Sequence, residues 1–164
     1  WRHRVLSGRL VYGVNIFYLK GDNLIQTVNR KNINTGAIEN WGAEAEIAYT
    51  INSHWEVSTN HSLLRMKNKL VAAPGYKGFL GMKYKARKWF ATLGLQHING
   101  LYSAVGDNEK KENFTLLNLT AGYHVIKCLT LWVKGDNLLA QSYEINEGYP
   151  MPRVTFMGGV KLSF

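Results

Sequence analysis

The residues of this chain that could carry out chemistry are few and scattered. Its five histidines lie in separate segments, and no two of them have the spacing of metal ligands. Ser58, His61 and Ser62 come closest to a nucleophile beside a base, but hydrolysis also needs a carboxylate or amide that orients the histidine. Nothing in the sequence marks these serines as activated. A hydrolase is therefore an alternative with little support, and we expect no catalytic residue, bound metal or cofactor.

Cysteine and charge exclude further classes of site. The single cysteine, Cys128, cannot form an internal disulfide and belongs to no zinc-spaced cluster. The formal net charge of +9 could indicate a nucleic-acid partner. However, the basic residues are dispersed, apart from short clusters such as Lys85–Lys88, and no nucleic-acid-binding motif accompanies them. Contact with anionic lipid head groups explains the charge equally well.

The pentapeptide Lys-Gly-Asp-Asn-Leu occurs twice, at Lys20–Leu24 and at Lys134–Leu138. One carboxylate per copy is too few for a calcium site. The flanking residues do not repeat at a fixed period, so the sequence gives no sign of a duplicated domain. We expect each copy to mark a bend at the end of a strand.

Alternation of apolar with small or polar residues is the main structural signal. It is clearest in the last stretch of the chain, whose apolar positions are Val154, Phe156, Val160, Leu162 and Phe164. A period of two predicts a β-strand with one apolar face, and about 9–11 residues suffice for a tilted strand to cross a bilayer. Eight such segments are predicted: Leu10–Tyr18, Ala43–Tyr49, Trp55–Leu63, Lys77–Tyr84, Trp89–Gln96, Leu117–Tyr123, Leu129–Lys134 and Val154–Phe164.

The connections between these segments alternate strictly between two lengths. Asn52–His54, Ala86–Lys88 and Ile126–Cys128 are tight turns. The other connections are long, polar and rich in Gly and Asn: Gly21–Gly36, Met66–Gly75, Asn99–Asn113 and Leu138–Pro152. Short turns at one rim and long loops at the other are typical of outer-membrane barrels. The sequence therefore predicts an all-β fold of about eight antiparallel transmembrane strands in an up-and-down meander.

Aromatic residues support the membrane assignment. Six of them lie on the predicted apolar face, within a few residues of a tight turn or of the C-terminus: Tyr49, Trp55, Tyr84, Trp89, Tyr123 and Phe164. Aromatic rings are stable at head-group depth, so we expect these six to form an interfacial girdle. On the opposite face lie Glu44 and Glu46, with Lys134 and Lys161 on later strands. These charges could form ion pairs inside a barrel or contact an internal plug.

The carboxyl-terminal third resembles a known family. Asp136–Glu144, then Gly148–Arg153, then a strand ending at Phe164 are similar to the end of TonB-dependent outer-membrane receptors. Asn34–Glu46 resembles another strand of that family, although the Gly expected between Pro152 and Arg153 is missing. The resemblance spans essentially all of the chain. It is closest to receptors of the cobalamin and iron-siderophore type in the form common among Bacteroidetes.

The resemblance implies a function. Residues 1–164 would be the C-terminal barrel segment of a receptor in the outer membrane of a Gram-negative bacterium, as part of a larger barrel and without the plug domain. Such receptors import a scarce nutrient such as a ferric siderophore, cobalamin or haem. The implied partners are outer-membrane lipid, the remaining strands, the plug, the TonB complex acting through the plug, and the ligand, which the four long loops would contact. Phe164 would be the signal for barrel assembly.

Other interpretations remain open at this stage. The chain begins at Trp1 with no signal sequence after it, which indicates a mature product or an internal fragment. A self-contained eight-stranded membrane barrel with a structural or adhesive role is the main alternative. A soluble ligand-binding barrel of the lipocalin type is another, and it would turn its apolar face inward.

Overall fold

The computed structural model describes residues 1–28, 31–34 and 36–163. Within these residues the chain forms strands and no helix. It therefore has no membrane-spanning helix in this part of the chain. The strands are β1 Arg2–Val5, β2 Leu10–Gly21, β3 Ile25–Val28, β4 Lys31–Asn34, β5 Ile38–Thr50, β6 Trp55–Met66, β7 Pro74–Lys85, β8 Trp89–Ala104, β9 Lys110–Ile126, β10 Leu129–Asp136 and β11 Thr155–Leu162.

Nine of these strands form one antiparallel sheet, in the order β1-β2-β5-β6-β7-β8-β9-β10-β11. Each sheet strand pairs with the next one along the chain, which confirms the predicted meander. The outer edges of β1 and β11 are unpaired in the part of the chain described here. An edge of this kind requires another strand or a cover. The sheet therefore has the form of a section of a larger barrel.

Two features were not predicted. β1 adds a ninth strand to the sheet by pairing Arg2 with Gly13 and Val5 with Leu10. The predicted loop Gly21–Gly36 contains a separate hairpin, β3 and β4, in which Ile25 pairs with Asn34. These strands have four residues each, too few to show a clear alternation.

The predicted loop Asn99–Asn113 is also shorter than expected. β8 continues to Ala104 and β9 begins at Lys110, so the connection is reduced to residues 105–109. The pairing shifts register between Ile98 and Leu101 and again between Tyr102 and Ala104. Such bulges break the alternation, and polar residues such as Lys110 and Lys111 then resemble a loop in sequence. The two strands rise together beyond their neighbours.

Glycines and aromatic rings interlock on one face of the sheet. A Cβ atom on Gly122 would lie 2.2 Å from Cζ of Phe90, and one on Gly42 would lie 2.4 Å from Cζ of Phe17. Phe90 is paired with Gly122 and Phe17 with Gly42 across adjacent strands. The rings therefore lie flat over the neighbouring backbone, where only a residue without a side chain leaves room.

Candidate functional site

The two faces of the sheet differ in polarity. One face, called here the apolar face, carries exposed hydrophobic side chains, including Ile16 at 76% and Phe156 at 76% exposure. Other exposed aliphatic side chains of this face are Val14, Ile47, Leu63, Leu80, Met82, Leu119, Leu131, Val133, Val160 and Leu162. A soluble protein buries such a surface, since exposed apolar patches of this size mark a contact with another phase or protein.

The opposite face, called here the polar face, holds ion pairs and hydrogen bonds. Arg2 Nε lies 2.9 Å from Glu46 Oε1, and Asn15 Nδ2 donates to Glu44 Oε2 at 3.3 Å. Further along the sheet, Lys83 Nζ lies 2.9 Å from Glu56 Oε1. A cleft of about 590 Å³ runs along the first of these groups. The predicted placement of Glu44 and Glu46 on one polar face is confirmed.

Lys134 and Lys161 also lie on the polar face, as the sequence predicted. Lys134 is paired with Met157 across β10 and β11, and Lys161 with Thr130. Lys134 Nζ lies 2.7 Å from Asp136 Oδ2, two residues further along the same strand. At least one lysine of this face is therefore neutralised by a neighbouring carboxylate.

The predicted girdle residues gather at the rim formed by the short turns. Trp55 is paired with Tyr84 and their ring centroids are 4.7 Å apart, and Trp89 is paired with Tyr123 at 4.5 Å. Tyr49 lies at the same rim, opposite Leu10. All five are on the apolar face, next to exposed aliphatic residues. The sixth, Phe164, lies outside the described residues.

Two cations accompany this rim. The Arg9 guanidinium lies 5.7 Å from the centre of the Tyr49 ring, and Lys88 Nζ lies 6.0 Å from that of Tyr123. Arg9 also donates to the carbonyl oxygens of Thr50 and Ile51. Tyr, Trp, Lys and Arg side chains suit a boundary between an apolar phase and water, because each combines an apolar body with a polar or charged tip.

At the other rim the last long connection, residues 137–154 and called here the last loop, packs onto the sheet. Tyr143 stacks on Phe114 with ring centroids 4.0 Å apart. The Tyr143 ring packs against a cluster of Ile98, Leu101 and Phe114, whose side chains are exposed by 4%, 5% and 5%. Burial raises the pKa of the Tyr143 hydroxyl. In the part of the chain that the structure describes, this cluster holds three of the four buried hydrophobic residues, and the sequence prediction missed it.

Asn137 holds the base of the last loop. Its side-chain Nδ2 donates to the carbonyl oxygens of Gln141 and Pro152, and its side-chain Oδ1 accepts from the backbone amide of Gln141. Its backbone is in the left-handed region at φ 51°, and its side chain is buried. Asn23, at the same position of the first pentapeptide copy, has φ 59° but is exposed. Both copies end a strand, β2 and β10, as predicted.

Ion pairs and hydrogen bonds connect the long loops to one another. Lys69 pairs with Glu109 between the loops that follow β6 and β8. Lys110 Nζ lies 2.9 Å from Glu144 Oε2, which also accepts from the Gly148 amide at 3.1 Å. The hydrogen bond from Lys110, followed by that from Gly148, lowers the pKa of Glu144. Gln26 of the hairpin β3–β4 donates to the Lys69 carbonyl at 3.3 Å. All four long connections are therefore linked.

The possible hydrolase residues do not come together. Ser58 and Ser62 lie on the polar face, whereas His61 lies on the apolar face. The His61 ring contacts the Tyr76 hydroxyl at 2.7 Å and the Thr59 hydroxyl at 3.0 Å. In residues 1–28, 31–34 and 36–163, no three His, Cys, Asp or Glu side chains are grouped so that they could hold a metal ion. Ser58, Ser62 and His61 thus do not form a common site.

Comparisons with known proteins agree with this arrangement. A family model described as TonB dependent receptor-like, beta-barrel, matches residues 1–138. Comparison with curated protein sequences finds no significant match. The ferric-catecholate import receptor Fiu from E. coli K12 is similar in structure, with a TM-score of 0.75 and 20% identity over 99% of this chain.

Two further solved structures share the fold. The ferripyoverdine receptor of the outer membrane of Pseudomonas aeruginosa has a TM-score of 0.74 and 19% identity over 99% of this chain. The copper transporter OprC has a TM-score of 0.76 and 18% identity over 95%. This chain spans 26% of Fiu, 26% of the ferripyoverdine receptor and 29% of OprC. At these identities the likeness establishes the fold. The chain belongs to the TonB-dependent receptor-like β-barrel family.

Proposed function

We propose that this chain is the C-terminal part of the barrel of an outer-membrane receptor that imports a scarce nutrient by means of TonB. The observation that carries the proposal is the division of the sheet into an exposed apolar face and a hydrogen-bonded polar face, with all long connections at one rim. The open edges of β1 and β11 favour further strands over a self-contained eight-stranded barrel. These strands and the plug domain would be the chain's structural partners.

The apolar face contacts outer-membrane lipid in this proposal, and the short-turn rim faces the periplasm. Tyr49, Trp55, Tyr84, Trp89 and Tyr123 then lie at the inner head-group layer, together with Phe164, which we propose as the barrel-assembly signal. The polar face lines the lumen, where the Arg2–Glu46 pair and the adjoining cleft can contact the plug. Amphipathic rings at one depth, and aliphatic rather than charged side chains on the apolar face between the two rims, support this orientation.

The long-loop rim faces the medium and contacts the nutrient. Neighbouring structures are receptors for a ferric catecholate and for ferripyoverdine, and a copper transporter. We propose a ferric siderophore, cobalamin or haem as the substrate class here. Tyr102 lies between the Lys69 and Lys111 ammonium groups, 5.5 and 5.6 Å from its ring centre. Such a group suits a bulky ligand with negative charge, as does exposed Tyr149 at the tip of the last loop.

Uptake by the full receptor tests the proposal. Cells that lack their own receptors would express the full protein and receive isotope-labelled ferric siderophores, cobalamin or haem one at a time. We expect accumulation of one class, and its loss in an otherwise identical strain without TonB. Accumulation that does not require TonB would contradict the proposal, as would no accumulation of any of these ligands by correctly assembled receptor.

A further inference from the structure

The apolar face changes character at its long-loop end. There the end of β2, the beginning of β5 and the end of β6 carry charged and aromatic residues instead of aliphatic ones. Tyr18 is paired with Trp41, Trp41 with Arg65, and Lys20 with Glu39. Lys67 follows directly after β6. This group of six is called here the basic-aromatic patch: Tyr18, Lys20, Glu39, Trp41, Arg65 and Lys67.

Contacts within the patch leave positive charge unbalanced. Lys67 Nζ lies 2.7 Å from Glu39 Oε2, and the Tyr18 hydroxyl donates to Glu39 Oε1 at 3.3 Å. The Arg65 guanidinium lies 5.7 Å from the centre of the Trp41 ring, and it forms no ion pair with a carboxylate of residues 1–28, 31–34 or 36–163. Lys20, Arg65 and Lys67 thus share a single carboxylate. Arg65 and Lys67 are exposed, as is Lys20.

The depth of the patch can be estimated from the strands that carry it. Leu10 is paired with Tyr49 near the short-turn rim, and Tyr18 is paired with Trp41 in the patch. The distance along β2 from Leu10 to Tyr18 therefore gives the distance from the rim to the patch. Eight residues of strand span about 26 Å. A tilt of about 40° reduces this to roughly 20 Å along the membrane normal, close to the height of the apolar band of a membrane barrel. Ile16, Ile47 and Leu63 occupy the interval.

We propose that the basic-aromatic patch binds the phosphate group of a lipid in the outer leaflet. Arg65 offers a planar fork that matches a phosphate, and Lys20 and Lys67 supply two further donors. Glu39 positions Lys67 and Tyr18 without cancelling the net charge of the patch. The rings of Tyr18 and Trp41 lie at the same depth, against the upper end of the acyl chains. This inference goes beyond import and rests on the proposed orientation, in which the apolar face contacts lipid and the long-loop rim faces the medium.

Native mass spectrometry of the full receptor in detergent micelles tests the site. The probes are lipid A carrying two phosphates and the same lipid after phosphatase treatment. The test variant is K20Q/R65Q/K67Q, with R65Q alone as a milder form. The control variant R87Q/K88Q/K127Q removes the same number of cations at the short-turn rim. Assembly of every variant is verified by its heat-modifiable migration on gels.

The wild-type receptor should retain the phosphorylated lipid in preference to the dephosphorylated one. The triple variant should weaken binding of the phosphorylated lipid about tenfold or more, because each cation near a membrane surface contributes to attraction of anionic groups. R65Q should weaken it by a smaller factor, and the control should bind as the wild type does. Equal binding by wild type and by assembled R65Q and triple variant would overturn the proposal. Equal retention of both lipids by the wild type would overturn it too.

Discussion

Phe114 of β9 and Tyr143 of the last loop stack with ring centroids 4.0 Å apart, although residues 115–142 separate them in the chain. The two rings belong to the same cluster as Ile98 and Leu101, which are exposed by only 4% and 5%. A long connection is thereby fixed to the sheet instead of remaining free above it. The Tyr143 segment of the last loop is therefore held against the sheet, whereas residues 146–150 around Tyr149 are exposed.

Loss of this stack should release the last loop. Phe114→Ala removes a ring exposed by only 5%, and such a truncation in a packed cluster costs about 3–5 kcal/mol. We expect a protease added to intact cells to cleave the last loop of the variant much faster than that of the wild type. Tyr149→Ala is the control, because this ring is 74% exposed in the same loop. Similar cleavage rates for both variants would contradict the structural role of the stack.

Asn137 should matter more than its sequence twin Asn23. Asn137→Ala removes three hydrogen bonds at a buried position and places alanine at φ 51°, so a loss of about 1–3 kcal/mol is expected. Asn23→Ala changes the same pentapeptide at the same kind of φ on the surface, and its effect should be smaller. Hydrogen exchange at the Gln141 amide, which donates to Asn137, provides the measurement. Unchanged protection of that amide in Asn137→Ala would refute this account.

The last loop should loosen in acid. The Lys110 and Gly148 donors lower the pKa of Glu144, so the folded loop favours the ionised carboxylate. The resulting stabilisation is complete above the ordinary pKa of a glutamate, about 4.3. It is lost as the pH falls through the lowered pKa of the folded state. Hydrogen exchange at the Gly148 amide, measured from neutral pH downward, should show this transition once the intrinsic pH dependence of exchange is subtracted.

Glu144→Gln should abolish that transition by leaving Gly148 weakly protected at every pH. Glu147→Gln is the matched control, since it removes an exposed carboxylate of the same loop and should leave the transition in place. An unaltered acid transition in Glu144→Gln would assign the effect to another group.

Consecutive glycines of β11 should respond differently to the same substitution. A Cβ atom on Gly159 would lie 2.8 Å from Cζ2 of Trp132, whereas one on Gly158 would meet no atom closer than 3.5 Å. Gly159→Ala must therefore displace the Trp132 ring, at a cost of about 1–3 kcal/mol, and Gly158→Ala needs no such shift. The temperature at which purified receptor loses its compact migration on gels should fall for Gly159→Ala alone. An equal fall for both variants would show that crowding by Trp132 is not the cause.

The long strands and their faces could be predicted from the sequence because apolar and polar residues alternate strictly along each of these strands. Tight turns fix the register of the strands that they join, as where Thr50 is paired with Glu56 across turn 52–54 and Lys85 with Phe90 across turn 86–88. The sequence prediction missed β1 and the hairpin of β3 and β4, because strands this short do not show a period. It also placed a loop at Asn99–Asn113, where bulges interrupt the alternation of strands that continue.

The core around Phe114 could not be predicted for a different reason. Phe114 and Tyr143 belong to segments that are brought together only when the last loop folds back over β8 and β9. Pairs such as Lys110 with Glu144 depend on the same fold. A single sequence shows which residues are aromatic or charged, but the partner of each is set by the course of a loop that has no periodicity.

The most direct test of the central claim compares Leu119 with its neighbour Thr120 in the full receptor. In a background with Cys128→Ser, a fluorophore is attached to Leu119→Cys or to Thr120→Cys, and lipids carrying a quencher in the acyl chain are added in nanodiscs. Leu119 is on the apolar face and Thr120 on the polar face. We predict strong quenching at residue 119 and weak quenching at residue 120. Equal quenching at both positions, or stronger quenching at 120, would contradict the assignment of the apolar face to lipid.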